Sequence, residues 1–286
     1  MTLHRNIIFL LITICISWSW AVNQTTSSSI KGPVAPHRRD VPGTRISISL
    51  GKIYQPEYYQ TPIDGKYSLV VFFHGASWCA EQNFYDSGKK ALLLSVNTLD
   101  YMSTFHNTKR FDELLTEVSL ALSSTWGVPS TFRKELVLIS FSGGYLAIRE
   151  ILSNPKYYDE IDGVVLADSL YTRFLDVERT KPHPSDIAPF LRFAQDAASS
   201  KKQFWFTQLY PPEWRYRNNS TTRTADYLCD KLKLSKRPRN ETNTLGMTLL
   251  YSAETGKCHI MGYQGMTTQD HFNHFYNLSE YIRKLE

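Results

Sequence analysis

Residues Glu135–Leu152 read ELVLISFSGGYLAIREIL, and they place a serine and two glycines between an apolar run and a helix-like pattern. The run before Ser142 is continuous and rich in leucine and β-branched residues, which is typical of a strand covered on both faces. Apolar residues recur at helical spacing after it. The stretch therefore predicts a buried strand, a sharp turn with Ser142 at its apex, and a helix.

Strand-like and helix-like segments alternate on both sides of this stretch. The other strand candidates are, in chain order, RISISL, SLVVFF, ALLLSV, IDGVVLA, QFWFT and MTLLYS. Two helix candidates have apolar residues on one face, Phe111, Leu114, Leu115, Val118 and Leu122 in the first, and Phe275, Leu278, Ile282 and Leu285 in the last, which begins at about Asp270. This alternation predicts an α/β fold with a mostly parallel central sheet flanked by helices, formed by residues 45–286 as one domain.

The beginning of the chain has the pattern of a secretory signal peptide. A short basic segment precedes an apolar stretch from Ile7 to about Ile16, and Ser19 and Ala21 occupy the −3 and −1 positions of a cleavage site. The apolar stretch is short for a membrane span, so we expect no stable span after cleavage, although an uncleaved anchor is the alternative. Residues 1–21 thus predict a secreted or periplasmic protein.

Residues 22–44 are rich in Ser, Thr, Pro and Arg and have no periodicity, which predicts a disordered leader. The formal net charge is +5, and it is spread along the chain without a long basic run. Nucleic-acid binding would need basic residues on one face with aromatic residues between them. Since we find no such pattern, we expect no nucleic-acid partner.

Removal of the signal peptide leaves three cysteines, Cys79, Cys229 and Cys258. An oxidising compartment would permit one disulfide among them, and the spacing leaves the pairing open. No Cys/His spacing resembles a zinc site, and no glycine-rich phosphate or dinucleotide motif follows a strand. We therefore expect neither a metal nor a cofactor.

The turn at Ser142 has the features that a serine nucleophile needs. A side chain that attacks a substrate must stand clear of the sheet, and the residues around a strained apex must be small. The sequence Ser140-Phe141-Ser142-Gly143-Gly144 fits this pattern, with Ser140 where a glycine is usual. The amide of Gly143 would lie at the start of the next helix, where it is a candidate donor to an oxyanion.

A second segment supports this interpretation. The strand SLVVFF ends in His74-Gly75-Ala76. An oxyanion hole needs a second amide from a loop beside the nucleophile, and a strand that runs into small residues can supply it. The amide of Ala76, or that of Ser77, is the candidate.

These two segments, in this order and with one strand and its helices between them, resemble the α/β-hydrolase fold. The resemblance extends from about Arg45 to the end of the chain. It implies a secreted serine hydrolase of the esterase or lipase type, with a Ser-His-Asp triad and an acyl-enzyme intermediate. The resemblance points to no single family of known substrate.

The resemblance also implies that a histidine follows the last strand and activates the serine. His259, His271 and His274 are the candidates in that part of the chain. We favour His271 because it lies at the junction of a loop and the final helix, from which its side chain can point at Ser142. His274 is one turn further along the same helix.

The third member, the acid, is expected after one of the two strands that follow the nucleophile. Asp168 ends the strand IDGVVLA, and Glu213 comes after QFWFT. We favour Asp168, since the order Ser142, Asp168, His271 is the nucleophile, acid and base order of the resembled fold. An acid in this position orients the imidazole and stabilises its positive charge.

Two functions are compatible with these features. The first is a secreted serine hydrolase that cleaves a carboxylic ester or a related acyl bond in a small-molecule, lipid or cell-wall substrate. The second is a catalytically inactive binding protein on the same scaffold, because a fold alone does not guarantee chemistry.

Overall fold

The computed structural model describes residues 34–130, 133–213 and 220–285, so the predicted signal peptide lies outside the described residues. Its strands are β1 (Gly43–Ile48), β2 (Gly51–Pro56), β3 (Tyr67–Phe73), β4 (Leu92–Val96), β5 (Arg133–Phe141), β6 (Gly163–Ala167), β7 (Gln203–Tyr210), β8 (Arg237–Thr242), β9 (Thr248–Thr255) and β10 (Cys258–Gln264). Its helices are α1 (Ser77–Ser87), α2 (Tyr101–His106), α3 (Thr108–Trp126), α4 (Tyr145–Leu152), α5 (Pro155–Glu160), α6 (Pro184–Ala198), α7 (Ser220–Leu232), α8 (Thr268–Tyr276) and α9 (Leu278–Arg283).

The strands form one sheet in the order β1-β2-β4-β3-β5-β6-β7-β10-β9-β8. The six strands from β4 to β10 in that order are parallel to one another. The strands at the two edges are antiparallel. The prediction of a mostly parallel central sheet flanked by helices is therefore confirmed.

The central strands are buried on both faces, which explains their continuous apolar sequences. In β3, Leu69 and Val71 belong to one apolar layer, whereas Val70 and Phe72 belong to the other. The first layer packs against α3, α4, α6 and α7, and the second against α1, α8 and α9. Each layer excludes water from one face of the sheet.

The structure contains three strands that we did not predict, and it divides the predicted final helix into two. We did not predict β2, β8 or β10; β8 is exposed along its whole length and pairs only with β9, so it lacks an apolar pattern. The single final helix is instead two helices, α8 and α9, which meet at Asn277. Its four predicted apolar residues are nonetheless all buried.

The described end of the predicted leader, residues 34–42, has no helix or strand but contacts two helices. Val41 is buried in an apolar layer. The main-chain N–H of Arg39 donates to Gln82 of α1 at 3.0 Å, and Gln269 of α8 donates to the main chain of the first described residue at 3.1 Å. The first strand begins at Gly43, two residues before the predicted start of the domain.

The three cysteines that we considered for a disulfide are free and buried in the structure. Burial raises the pKa of Cys79 to about 12 and that of Cys258 to about 12. Across the described ranges, none of the helices has both the length and the apolar character that crossing a membrane requires.

Candidate active site

Ser142 follows β5 directly and has a left-handed backbone, with a φ of 49°. This conformation is costly for a residue with a Cβ, and it persists only where the surrounding structure holds it. A short 3₁₀ turn leads from Ser142 into α4. A Cβ on Gly144 would lie 2.3 Å from the carbonyl oxygen of Phe73, so the close approach of this turn to β3 requires glycine there. The backbone makes the predicted sharp turn.

Ser140, at the position where a glycine is usual in such a turn, has a defined role in the structure. Its hydroxyl lies 2.8 Å from that of Ser169, and Ser169 donates to the carbonyl oxygen of Ser142 at 2.7 Å. Ser140 and Ser169 are fully buried. Because Ser169 uses its proton on Ser142, Ser140 must be the donor to Ser169. The chain of hydrogen bonds ties the turn to the segment after β6.

The carboxylate of Asp168 is buried at the end of β6 and fully hydrogen-bonded. Oδ2 lies 2.6 Å from Nδ1 of His271. Oδ1 accepts from the main-chain N–H of Leu209 at 3.1 Å and from the hydroxyl of Thr221 at 3.0 Å. Burial would raise the pKa of Asp168, but the hydrogen bond with His271 and the nearby imidazole of His274 outweigh it and lower the pKa. The ionised carboxylate can thus accept a hydrogen bond from a protonated Nδ1 of His271. In that tautomer, Nε2 of His271 is a hydrogen-bond acceptor.

The imidazole of His271 is held above the turn by its helix and by an aromatic ring. Its ring stacks on Phe141, the residue before Ser142, with the ring centres 4.5 Å apart. The side chain of Thr267 caps α8, and the side chain of Asp270 accepts a hydrogen bond from the main-chain N–H of Thr267. This cap fixes the first turn of the helix, which carries His271.

Two of the alternatives that we kept open lie elsewhere. His259 is in β10, where it pairs with Trp205 near the amino end of β7, so it is far from the carboxyl edge that carries Ser142. It stacks on Trp205 with the ring centres 3.9 Å apart. Glu213 is exposed after β7, while the imidazole of His271 contacts Asp168 and Tyr171. We placed His259 after the last strand because β10 was not predicted.

His274, the third histidine candidate, is fully buried beneath the site. Its Nδ1 lies 2.8 Å from the hydroxyl of Thr207. Burial lowers the pKa of His274 to about 4, with a smaller opposing effect from Asp168. A buried and neutral imidazole in this position supports the residues around it and has no access to a substrate.

Tyr171 contacts the site and was not assigned any role from the sequence. Its phenol donates to the carbonyl oxygen of Asp168 at 2.9 Å and lies 3.5 Å from Nδ1 of His271. Burial and the Asp168 carboxylate raise the pKa of Tyr171, and the nearby Ser142 hydroxyl partly offsets them. In the described part of the chain, no hydrogen bond joins Ser142 directly to His271. Tyr171 contacts both Asp168 and His271 and lies close to Ser142.

The loop after β3 lies on the other side of Phe141. The ring of His74 faces that of Phe141 with the ring centres 6.2 Å apart. Ala76 follows and precedes the first residue of α1. Gly143 begins the turn after Ser142, where backbone N–H groups have no partner within the helix. Both predicted oxyanion donors thus follow the carboxyl ends of two neighbouring parallel strands, β3 and β5.

Nothing in the described residues gathers three or more His, Cys, Asp or Glu side chains into a potential metal site. The polar groups at the carboxyl edge include a hydroxyl, an imidazole, a carboxylate and main-chain amides. These groups support acid–base and nucleophilic chemistry.

No protein-family model matches the sequence, and no curated protein matches it. Among solved structures, the chain is similar to carboxyl esterase 2 from the mycorrhizal fungus Tuber melanosporum, with 12% identity, coverage of 89% of this chain and 90% of that one, and a TM-score of 0.47. A truncated carbohydrate esterase from gut microbiota has 11% identity, 88% and 98% coverage, and a TM-score of 0.43. A thermophilic carboxylesterase cloned from a metagenomic library has 10% identity, 87% and 90% coverage, and a TM-score of 0.43.

Features of this protein's own structure identify its fold. The parallel strands, the strained serine between β5 and α4, and the order of Ser142, Asp168 and His271 along the chain are the features that define the arrangement. This protein has the α/β-hydrolase fold.

Proposed function

We propose that this protein is a serine hydrolase that cleaves a carboxylic ester, with Ser142 as nucleophile, His271 as base and Asp168 as the acid that orients the imidazole. The observation that supports this most is the 2.6 Å hydrogen bond between Asp168 and His271 beside a strained serine. A serine hydroxyl is a weak nucleophile unless a base accepts its proton. The stacking of His271 on Phe141, the residue before Ser142, supports a shared site for hydroxyl and imidazole.

The chemistry follows from the positions of these groups. Nε2 of His271 takes the proton of Ser142 as Oγ bonds to the ester carbonyl carbon, and the N–H groups of Gly143 and Ala76 stabilise the oxyanion. The bond to the alcohol then breaks, and His271 returns the proton to the leaving oxygen. Water, deprotonated by His271, attacks the acyl-enzyme, which releases the acid and restores Ser142. The Ser142 hydroxyl must first form a hydrogen bond with Nε2 of His271, as catalytic hydrogen bonds often tighten only with substrate bound.

Two further parts of the proposal concern substrate and location. We take a small-molecule ester as the first substrate class to test, with lipid and cell-wall acyl groups as the next ones. The signal-like sequence of residues 1–21 supports secretion. Amino-terminal sequencing of the protein from the growth medium is expected to start at Val22, and a start at Met1 would contradict cleavage.

A fluorophosphonate probe and 4-nitrophenyl acetate test the activity. The wild-type protein is expected to react with the probe, and Ser142→Ala is expected to lose labelling and to lower kcat at least roughly 10⁴-fold. Asp168→Asn is expected to lower kcat by about 10⁴-fold because the imidazole loses its orienting carboxylate. Ser199→Ala, at an exposed serine after α6, is the matched control and keeps both signals.

The binding-protein alternative gives a different result. A folded wild-type protein that neither reacts with the probe nor hydrolyses aryl esters would support it. Turnover that survives in Ser142→Ala would contradict the proposed mechanism. Circular dichroism on each variant shows that the fold is retained.

A further inference from the structure

A cavity of about 500 Å³ lies beside the amino end of α1. Ala76, Ser77 and Trp78 form one of its walls, and the end of the predicted leader, residues 38–41, forms another. Ala76 is also the candidate for the second oxyanion donor. The cavity therefore shares a lining residue with the predicted oxyanion hole.

Positive charge predominates on the walls of this cavity. The charged lining residues are Arg38, Arg39, Arg45, Lys52, Asp40 and Glu81, with a net charge of +2. Arg45 donates to Glu81 at 2.7 Å, and Arg39 donates to Asp86 at 2.5 Å. Arg38 and Lys52 have no acidic partner among the residues that the structure describes. Two cations are thus free to bind an anion.

The main chain and an aromatic ring add to this character. Ala76 caps α1 without a side-chain hydrogen bond, and the first turn of α1 contains no acidic residue. The first N–H groups of a helix are unpaired and carry partial positive charge, so they favour an anion nearby. The guanidinium carbon of Arg38 lies 5.8 Å from the ring centre of Trp78, which orients this cation beside the cavity.

We propose that this cavity binds an anionic group of the substrate, a carboxylate or a phosphate, and that the substrate is an ester with a negative charge near the scissile bond. Arg38 and Lys52 form the ion pairs, and the amino end of α1 adds main-chain donors. The inference rests on the proposed function, because the cavity shares Ala76 with the candidate oxyanion hole.

Paired substrates test the charge preference. Mono-4-nitrophenyl glutarate carries a negative charge on its acyl group, and 4-carboxyphenyl butyrate carries one on its leaving alcohol. The third ester, 4-nitrophenyl butyrate, is neutral. Arg38→Gln and Lys52→Gln are each expected to lower kcat/KM about 10-fold for at least one anionic ester, as expected for a lost charged contact, and to leave the neutral ester unchanged. Arg237→Gln, in β8 at the opposite edge of the sheet, removes the same charge and is expected to change neither.

A binding measurement separates this inference from the proposed function. In Ser142→Ala, inorganic phosphate and glutarate are expected to change the tryptophan fluorescence and to lose this effect when Arg38→Gln or Lys52→Gln is added. If these probes bind but no ester is cleaved, the proposed function alone fails. If esters are cleaved but the variants lower anionic and neutral substrates equally, or change neither binding nor selectivity, the anion site is overturned.

Discussion

At the scale of single residues, the candidate site contains a phenol that contacts two of its principal groups. Tyr171 donates to the carbonyl oxygen of Asp168 and so helps to hold the left-handed backbone of that residue, whose φ is 37°. The same oxygen lies 3.5 Å from Nδ1 of His271. Loss of one hydrogen bond in a buried site removes about 1 kcal/mol of stabilisation. We therefore expect the phenol to affect the alignment of the proposed triad more than the stability of the fold.

Replacement of Tyr171 by phenylalanine tests this role. Tyr171→Phe keeps the ring that packs beside Tyr145 but removes the hydroxyl. We expect kcat on 4-nitrophenyl acetate to fall about 10-fold, which corresponds to about 1.4 kcal/mol. KM and the melting temperature are expected to stay close to those of the wild type. A lower melting temperature with unchanged kcat would show a structural role only.

At the scale of elements, the turn between β5 and α4 is shaped by its contact with the neighbouring strand. Gly144 is pressed against the main chain of Phe73 at the end of β3, whereas a Cβ on Gly143 would meet no atom within 4 Å. The surroundings therefore require a small residue at Gly144 but not at Gly143. Gly144 allows the close approach of helix and strand, whereas Gly143 faces open space.

A pair of alanine substitutions tests this difference between Gly144 and Gly143. Gly144→Ala is expected to cost about 1–3 kcal/mol, the usual penalty of forcing a methyl group into a packed site. Gly143→Ala is expected to leave the stability within about 0.5 kcal/mol, as for a surface substitution. Chemical denaturation followed by fluorescence measures both. Equal destabilisation by the two substitutions would contradict the packing of α4 on β3.

At the scale of the whole molecule, the parallel strands bring the candidate residues to one edge and bury a histidine below them. His274 is fully buried, and the charged groups near it are Asp168, Asp270 and His271. Its pKa is lowered from 6.5 to about 4 by burial. The unfolded chain therefore binds a proton at a pH where the folded chain does not, and this difference makes the stability depend on pH.

The folded state is expected to become less stable as the pH decreases. The stability that the neutral His274 adds is fully present above pH 6.5, falls as the pH decreases, and is lost near pH 4. At about 1.4 kcal/mol per pKa unit, the total decrease in the free energy of unfolding is roughly 3 kcal/mol. Thermal unfolding of the wild type from pH 7 to pH 4 is expected to show this decrease, and His274→Gln is expected to reduce it.

The carboxylates next to His274 act at lower pH. Burial opposes the lowering of the pKa of Asp168 and of Asp270, but their hydrogen bonds prevail. The stability that they add is therefore lost only as the pH falls below the ordinary range of an aspartate. A wild-type stability that is constant between pH 7 and pH 4 would contradict a neutral buried His274.

Local patterns account for the parts of the fold that we predicted. The seven strand candidates are all strands, because continuous apolar runs between polar loops have few alternatives in a folded chain. Strand β8 was not predicted because it has no apolar pattern of its own. Its pairing with β9 holds it in the sheet. The break between α8 and α9 was missed because both helices bury the same apolar face.

The sequence by itself determined the alternation of strands and helices, the strained turn at Ser142, and the order of the candidate serine, acid and base. The first two features depend on neighbours within a few residues, where spacing and residue type are sufficient, whereas the third is what the resemblance to the α/β-hydrolase fold implies. Only the tertiary structure decided that Asp168 meets His271, which lies 103 residues later, that Tyr171 joins them, and that residues 38–41 line a cationic cavity. Such contacts depend on the order of strands in the sheet and on the paths of loops, which local patterns do not specify.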